Sequence, residues 1–558
     1  MNGDFKGDFS RDSFGMLRDF ARERDLTYSL LQDTSRNKDL STLRDLSLLG
    51  HFSRLLWQQG RVTLDADLNE QIDILLHSLR SLAGDLIGPQ GGPIYQDENH
   101  IDYTGLGLYT VPGGTEKGKL HIRPGHYYID GILVSNEQDV AYVDQPYLPL
   151  ITDTPKGSQN GYLAYLDVWE RQITSLENDL IREVALGEAG ADTATRAQLV
   201  WQVKFINPNQ DVIGLIGEIQ SKKIPRFQGI NTLKQGLEAL FQSQDRGRLA
   251  AKAREPADED QKGACIIPPA ASYRGPENQL YRVEIHRGGF AWPGTLTAKA
   301  TKASGASQWA TFVVSRENGS VLFPILSGKA NGNNPVTVTL GDLGRDDRRF
   351  TLSVNDWVEL VDQDNLLMGV PGPLYQVSTP PDPIEMTVTL TPATTTDPNA
   401  QGLDASRGQL LRLWNYRGSA AKNIQAGEAE LADDGALKVK AGADTWFELE
   451  NGIMIQFPEP SLEPGKLPLA YRTGDYWLIP ARTIAGNVIW PQTPEQSSGS
   501  GSQATPELAP AALLPHGVRH HYAPLAYLNF DDTGNVAGDI VPLQLEFKSL
   551  VEITLSLP

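Results

Sequence analysis

Phe52-Ser-Arg-Leu-Leu-Trp-Gln-Gln-Gly-Arg-Val-Thr-Leu-Asp-Ala-Asp-Leu-Asn-Glu-Gln71 reads as a short extended piece, a turn, a helix cap and the start of a long amphipathic helix. Gly60 offers the positive-φ position that a tight turn needs, and Arg61 beside it presents a planar guanidinium suited to carboxylates. Asp65, Asp67 and Glu70 are its candidate partners, in the same chain or the next. Asp65 and Asp67 are also the candidate N-caps, since a short acidic side chain satisfies free backbone N–H groups and suits the positive helix end. Apolar residues then recur at Leu68, Ile72, Leu75, Leu79 and Leu82, with Leu76 widening the stripe. The alternating four–three spacing is that of an a/d seam. Gly84 is the expected C-cap, with Pro89 soon after. Two partners fit such a stripe: a sheet of the same chain, or copies of the helix and neighbouring subunits.

Outward from this helix the pattern changes. Short β-branched and aromatic runs separated by turn residues predict a mainly β, multidomain (α+β) chain. A helical N-terminal docking region (1–90) is followed by several small β-sandwich or β-barrel-like domains. Residues 91–228 form a first β domain. In it Leu120–Val134 reads as a hairpin turning at Asp130-Gly131, and Tyr162–Trp169 and Leu199–Phe205 read as strands. Residues 229–275 read as a helical excursion and linker, 276–380 as a second β domain, and 381–558 as a C-terminal β region with a flexible Ser/Gly-rich loop at 494–510.

The 558 residues exceed one ordinary core. A formal charge of −20 repels phosphate backbones and anionic surfaces, which disfavours nucleic acid as a partner. No run has the length of a membrane span, so direct membrane insertion is not expected, and no apolar leader is seen. Cys265 is the only cysteine, which excludes an intramolecular disulfide and a cysteine-based metal site.

No catalytic, cofactor or metal residue is selected. There is no Gly-x-Ser-x-Gly elbow, P-loop or dinucleotide fingerprint. His516, His520 and His521 cluster, but Pro515 and Gly517 oppose the helical spacing a metal pair needs. Asp4, Asp8 and Asp12 lack the ligand pattern of a calcium loop. Trp292, Trp414 and Trp490 lie near turn residues and are candidates for stacking on sugars, or else for anchoring small cores.

The opening segment, with Lys6-Gly-Asp-Phe-Ser-Arg-Asp12 before it, resembles a domain family of unknown function from bacterial and cyanobacterial gene clusters for phage-tail-like contractile injection systems. Asp85–Pro93, Arg123–Gly131, Leu166–Arg171, Gly474–Thr483 and His520–Leu525 extend the likeness over nearly the whole chain. Residues 15–51 form a longer link than the family pattern has.

The resemblance implies a structural subunit of such a particle, in its baseplate or a baseplate extension, made in the cytoplasm and assembled with sister copies and with baseplate, tube or sheath proteins. The expected interface is Trp57, Arg61, Asp65, Asp67, Leu68, Ile72, Leu75, Leu79 and Leu82. The rival readings are a receptor- or glycan-binding fibre module and a polysaccharide-degrading enzyme.

Overall fold

The computed structural model describes most of residues 53–548. Residues 1–52 and 549–558 lie outside the description, as do 149–153, 186–192, 242–245, 255–272, 276–278, 292–308, 345–350, 417–428, 459–469, 484–486, 495–507 and a few shorter gaps. The Asp4/Asp8/Asp12 segment, the link at 15–51, Cys265, Trp292 and the centre of the 494–510 loop therefore lie beyond the described residues. The chain is mostly β, in several small sheets and one six-stranded barrel. It groups into two compact units, one built around Gln71–Gln244 and Val518–Pro558, the other around Asp245–Gly517.

Helix α1 spans Asp65–Ile87, and the first unit takes it from Gln71 onward. Gly84 does not end it: the helix continues through that residue. Gly88, at φ +93°, makes the terminating turn and donates its N–H to Gly84 O at 2.8 Å. Strand β1 (Gln90–Gln96) pairs antiparallel with β2 (Asp102–Thr104) and with β3 (Gly125–Ile129). The hairpin read at 120–134 is present: β3 pairs with β4 (Ile132–Asn136), closing at Ile129 and Ile132. Asp130 (φ +50°) and Gly131 (φ +79°) occupy the left-handed positions that a right-twisted two-residue turn requires.

The long strands β5 (Tyr162–Ile173) and β6 (Arg196–Ile206) pair antiparallel through eleven residues. Strand β5 is buried on both faces. Ala164, Leu166 and Val168 join one core with Tyr127, Ile129 and Val134. Leu163 and Tyr165 join another with helices α2 (Gln210–Gln220) and α3 (Arg226–Phe241). Asn209 caps α2 by accepting the Val212 N–H at 2.9 Å. The helical excursion expected from 229 is thus α3, and Ala250–Ala253, expected to be helical, is a strand.

In the second unit β7 (Gln279–Arg287) pairs with β8 (Thr311–Ser315). The barrel is formed by β9 (Leu322–Ser327), β10 (Val336–Leu340), β11 (Trp357–Val361), β12 (Leu374–Val377), β13 (Thr387–Pro392) and β14 (Leu410–Trp414), closed in the order β9-β10-β13-β12-β11-β14. Alternation drives it. In β10, Val336, Val338 and Leu340 face the barrel core with Leu360, Leu390 and Leu411, while Thr337 faces out. Closure removes free sheet edges. Strand β15 (Tyr476–Arg482) pairs with β7 on the side away from β8.

The chain then returns to the first unit. Strand β16 (His520–Phe530) pairs with β5, and β17 (Val536–Pro542) pairs with β16. Glu546–Phe547 adds a short parallel pairing to β1. Residues 518–548, read from sequence as part of one C-terminal region with 381–517, instead complete the sheet begun at Tyr162.

Candidate functional site: an exposed leucine seam

Ahead of α1, Arg61 N donates to Gln58 O at 3.3 Å and Gly60 sits at φ +74°. This is the positive-φ turn expected from sequence, and it leaves Leu56, Trp57, Arg61 and Val62 exposed. The helix begins at Asp65, so Asp67 lies inside its first turn rather than at the cap. The side chains of Asp65 and Glu70 lie outside the description.

One face of α1 is seated on the first unit. Ile74 is buried, and Arg80 Nη2 lies 2.6 Å from Glu170 Oε1 of β5. The hairpin turn presses on the same face: a Cβ at Gly131 would lie 2.0 Å from Arg80 O.

The predicted seam is on the other face. Leu68, Ile72, Leu75, Leu79 and Leu82 are 49–61% exposed, and Leu86 continues the four–three spacing at 74%. Ten of the eighteen exposed large apolar residues among those described fall between Leu56 and Leu86. Single exposed leucines are ordinary on a protein surface, whereas these lie in one continuous stripe along the helix. Of the two partners the sequence left open, the sheet of the same chain takes Ile74 and not the seam.

The histidines separate. His516 stacks on Tyr476 in the second unit, with ring centroids 5.4 Å apart. His520 and His521 are neighbours on β16, so their side chains point to opposite faces. His520 Nδ1 lies 2.6 Å from Asp167 Oδ1, and Lys204 Nζ lies 2.7 Å from Asp167 Oδ2. This links β16, β5 and β6. His521 Nδ1 lies 2.7 Å from Asp130 Oδ2, and Lys234 of α3 reaches Asp130 at 3.0 Å. Burial raises the Asp130 pKa, but His521 and Lys234 outweigh it and hold the carboxyl at about 2. Asp167 is likewise lowered, with burial opposed by His520 and Lys204. Both clusters act as cross-links between elements. Among the described residues no group of three or more His, Cys, Asp or Glu is placed to hold a metal ion. Nor is any described helix long and apolar enough to cross a membrane.

Two of the tryptophans considered for sugar stacking are core anchors. Trp414 is buried and donates Nε1–H to Glu359 at 3.0 Å; Trp490 is buried and donates to Ala511 O at 2.8 Å. Their faces are spent on packing. A cavity of about 260 Å³ in the second unit is lined by Arg287, Phe290, Asp397, Tyr471 and Thr473 among others. Arg287 there is engaged with Asp434 at 3.2 Å and with Trp309 O at 3.3 Å.

A family model matches residues 44–217 and 229–536, most of the chain. The chain belongs to the Family of unknown function (DUF6519). No curated protein and no solved structure matches it. In this DUF6519 chain the match takes in the Gly60 turn and all of α1, and leaves the first 43 residues outside.

Sequence reasoning put the seam on α1 but stopped it at Leu82, because Gly84 read as the helix end. The continuing spacing to Leu86 was the signal that the helix runs on. The two Asp–His–Lys clusters had no local signature, since each draws on three segments far apart in sequence.

Proposed function

We propose that this DUF6519 chain is a structural subunit of a phage-tail-like contractile injection particle, in its baseplate or an extension of it, and that α1 is the element by which it docks. The exposed leucine seam carries the reading. A free subunit gains little by holding six large apolar side chains half or more in water, where each forgoes about 1 kcal/mol or more of further burial. A subunit with a neighbour recovers that energy on assembly. The resemblance of the Phe52–Gln71 segment to proteins encoded with such particles supplies the class of assembly. The acidic charge accords with protein rather than nucleic-acid contacts.

The test is co-sedimentation of the chain, lacking residues 1–86, with sheath and tube, alongside cryo-electron microscopy of particles from a strain without the gene. The proposal expects loss of co-sedimentation and loss of density at the baseplate end. Unchanged density would end it.

A further inference from the structure

We propose that the cavity of the second unit is a binding site for a neutral sugar ring. The site is independent of α1 and of what α1 docks on.

The cavity forms where several short segments of the second unit meet. Gly289–Phe290 pairs antiparallel with Ala470–Tyr471, and Gly288 N donates to Thr473 Oγ1 at 3.0 Å. Gly369, the left-handed C-cap of the short helix Gln363–Met368, lines the same space with the two residues after it and with Asp397. A Cβ at Gly369 would meet nothing within 4 Å, so no side chain fills the cavity from that side. Gly369 and Thr473 are exposed, whereas Tyr471 is buried. The space of about 260 Å³ therefore runs from solvent to a buried wall.

That wall holds an unmet polar group. Tyr471 is 3% exposed, and its hydroxyl has no hydrogen-bond partner among the described residues. No other buried side-chain N or O of the lining is left in this way. Buried polar groups are paired as a rule, and an orphan beside a cavity is accounted for by what enters the cavity. Burial raises the Tyr471 pKa above the ordinary tyrosine range, so the group is a neutral O–H that both donates and accepts.

The other polar groups narrow the ligand class. Arg287 spends Nε on Trp309 O at 3.3 Å and Nη1 on Asp434 at 3.2 Å. Its charge is thus already balanced, and it keeps Nη2 as a remaining donor. Asp397 places a carboxylate on the same wall and opposes an anion, while Arg287 opposes a cation. Phe290, Val370 and Pro371 supply apolar surface. A ligand that suits all of these is uncharged, carries hydroxyls that both give and accept, and has C–H faces. A sugar ring has that chemistry. The volume lies just below the ~300 Å³ at which small-molecule sites begin, which suits a single ring. Trp414 and Trp490 cannot serve here, since both are buried in packing.

The test uses the full-length chain with four neutral monosaccharides: glucose, galactose, mannose and N-acetylglucosamine. Inorganic phosphate and tetramethylammonium serve as charged probes. Saturation-transfer NMR should show transfer to at least one sugar, with a dissociation constant of about 1 mM, the scale for so small a ligand. Tyr471→Phe removes the hydroxyl alone and should weaken that binding about tenfold. Leu326→Ala, on exposed surface outside the cavity, should leave it unchanged. Thermal unfolding is the second readout. Tyr471→Phe should keep or raise the midpoint, because the hydroxyl it removes is unpaired in the free chain. No transfer to any of the four sugars, equal binding by Tyr471→Phe, or tighter binding of phosphate or tetramethylammonium overturns the site. A lowered midpoint overturns it too, since the hydroxyl would then be spent within the chain. The outcomes separate from those of the particle reading: a chain that binds a sugar but does not co-sediment with sheath and tube refutes the particle and leaves this site standing.

Discussion

Nδ1 of His521 lies 2.7 Å from Oδ2 of Asp130, the first residue of a hairpin turn nearly four hundred positions earlier in the chain. The contact joins the last long strand, β16, to the turn that supports α1. Lys234 of α3, almost fully buried, completes it and also pairs with Glu238.

Acid should weaken this joint. The Asp130 pKa is lowered from 3.8 to about 2, so its ionised form is favoured by folding. A carboxylate depressed in the folded state contributes stability that is fully present above its unfolded pKa and is lost as pH falls through the folded one. The window is therefore from about pH 4 down to about pH 2, and the contribution is about 2 kcal/mol. Urea unfolding followed across that range should show the loss in the unmodified chain. Asp130→Asn, which tolerates the left-handed backbone, should remove this part of the slope.

Gly131 should accept no other residue. Its φ of +79° already disfavours a side chain, and a Cβ would lie 2.0 Å from Arg80 O, a backbone atom of α1. Gly131→Ala should cost more than the ~1 kcal/mol of a left-handed alanine, because the helix must also move. Hydrogen exchange should show α1 amides losing protection first, with the barrel of the second unit unaffected. Gly60, at φ +74° with nothing within 4 Å, is the control: Gly60→Ala should cost only the backbone term.

Glu359 accepts from Arg412 Nη1 at 3.2 Å and from Trp414 Nε1, inside the second unit. Both charged groups are nearly buried. Glu359→Ala should destabilise that unit by about 3–5 kcal/mol, since it removes a buried partner of the Arg412 charge and the acceptor of Trp414 Nε1–H. Replacing both, as Glu359→Leu with Arg412→Met, should recover most of the loss. Chemical denaturation of the single and double variants measures the difference. An additive double variant would contradict the pairing.

Much of this was legible along the chain because it depends on neighbours. The Asp130-Gly131 turn is written in two adjacent residues whose backbone preferences leave few alternatives. The strands at Tyr162 and Leu199 follow from β-branched and aromatic runs between turn residues. The Gly60 turn and the four–three spacing of the α1 stripe are likewise local signals.

Other features depend on what meets in space. His520 and His521 read as one cluster, and strand geometry sends them to opposite faces. Trp414 and Trp490 sit beside turn-forming residues, yet the folded sheets bury both.

By itself, then, the sequence determined the mostly β character, the hairpin turn, the helix and its apolar stripe, because each is set by backbone preference and spacing over a few residues. Only the tertiary structure decided that residues 520–542 return to the sheet begun at Tyr162, that six strands close into a barrel, and that Ile74 rather than the leucine stripe is spent on the core. Those outcomes turn on which surfaces exclude water together. One helix can bury a face only where a complementary surface reaches it, and the first unit reaches α1 from the side of Ile74 and Arg80, leaving Leu68 to Leu86 in solvent.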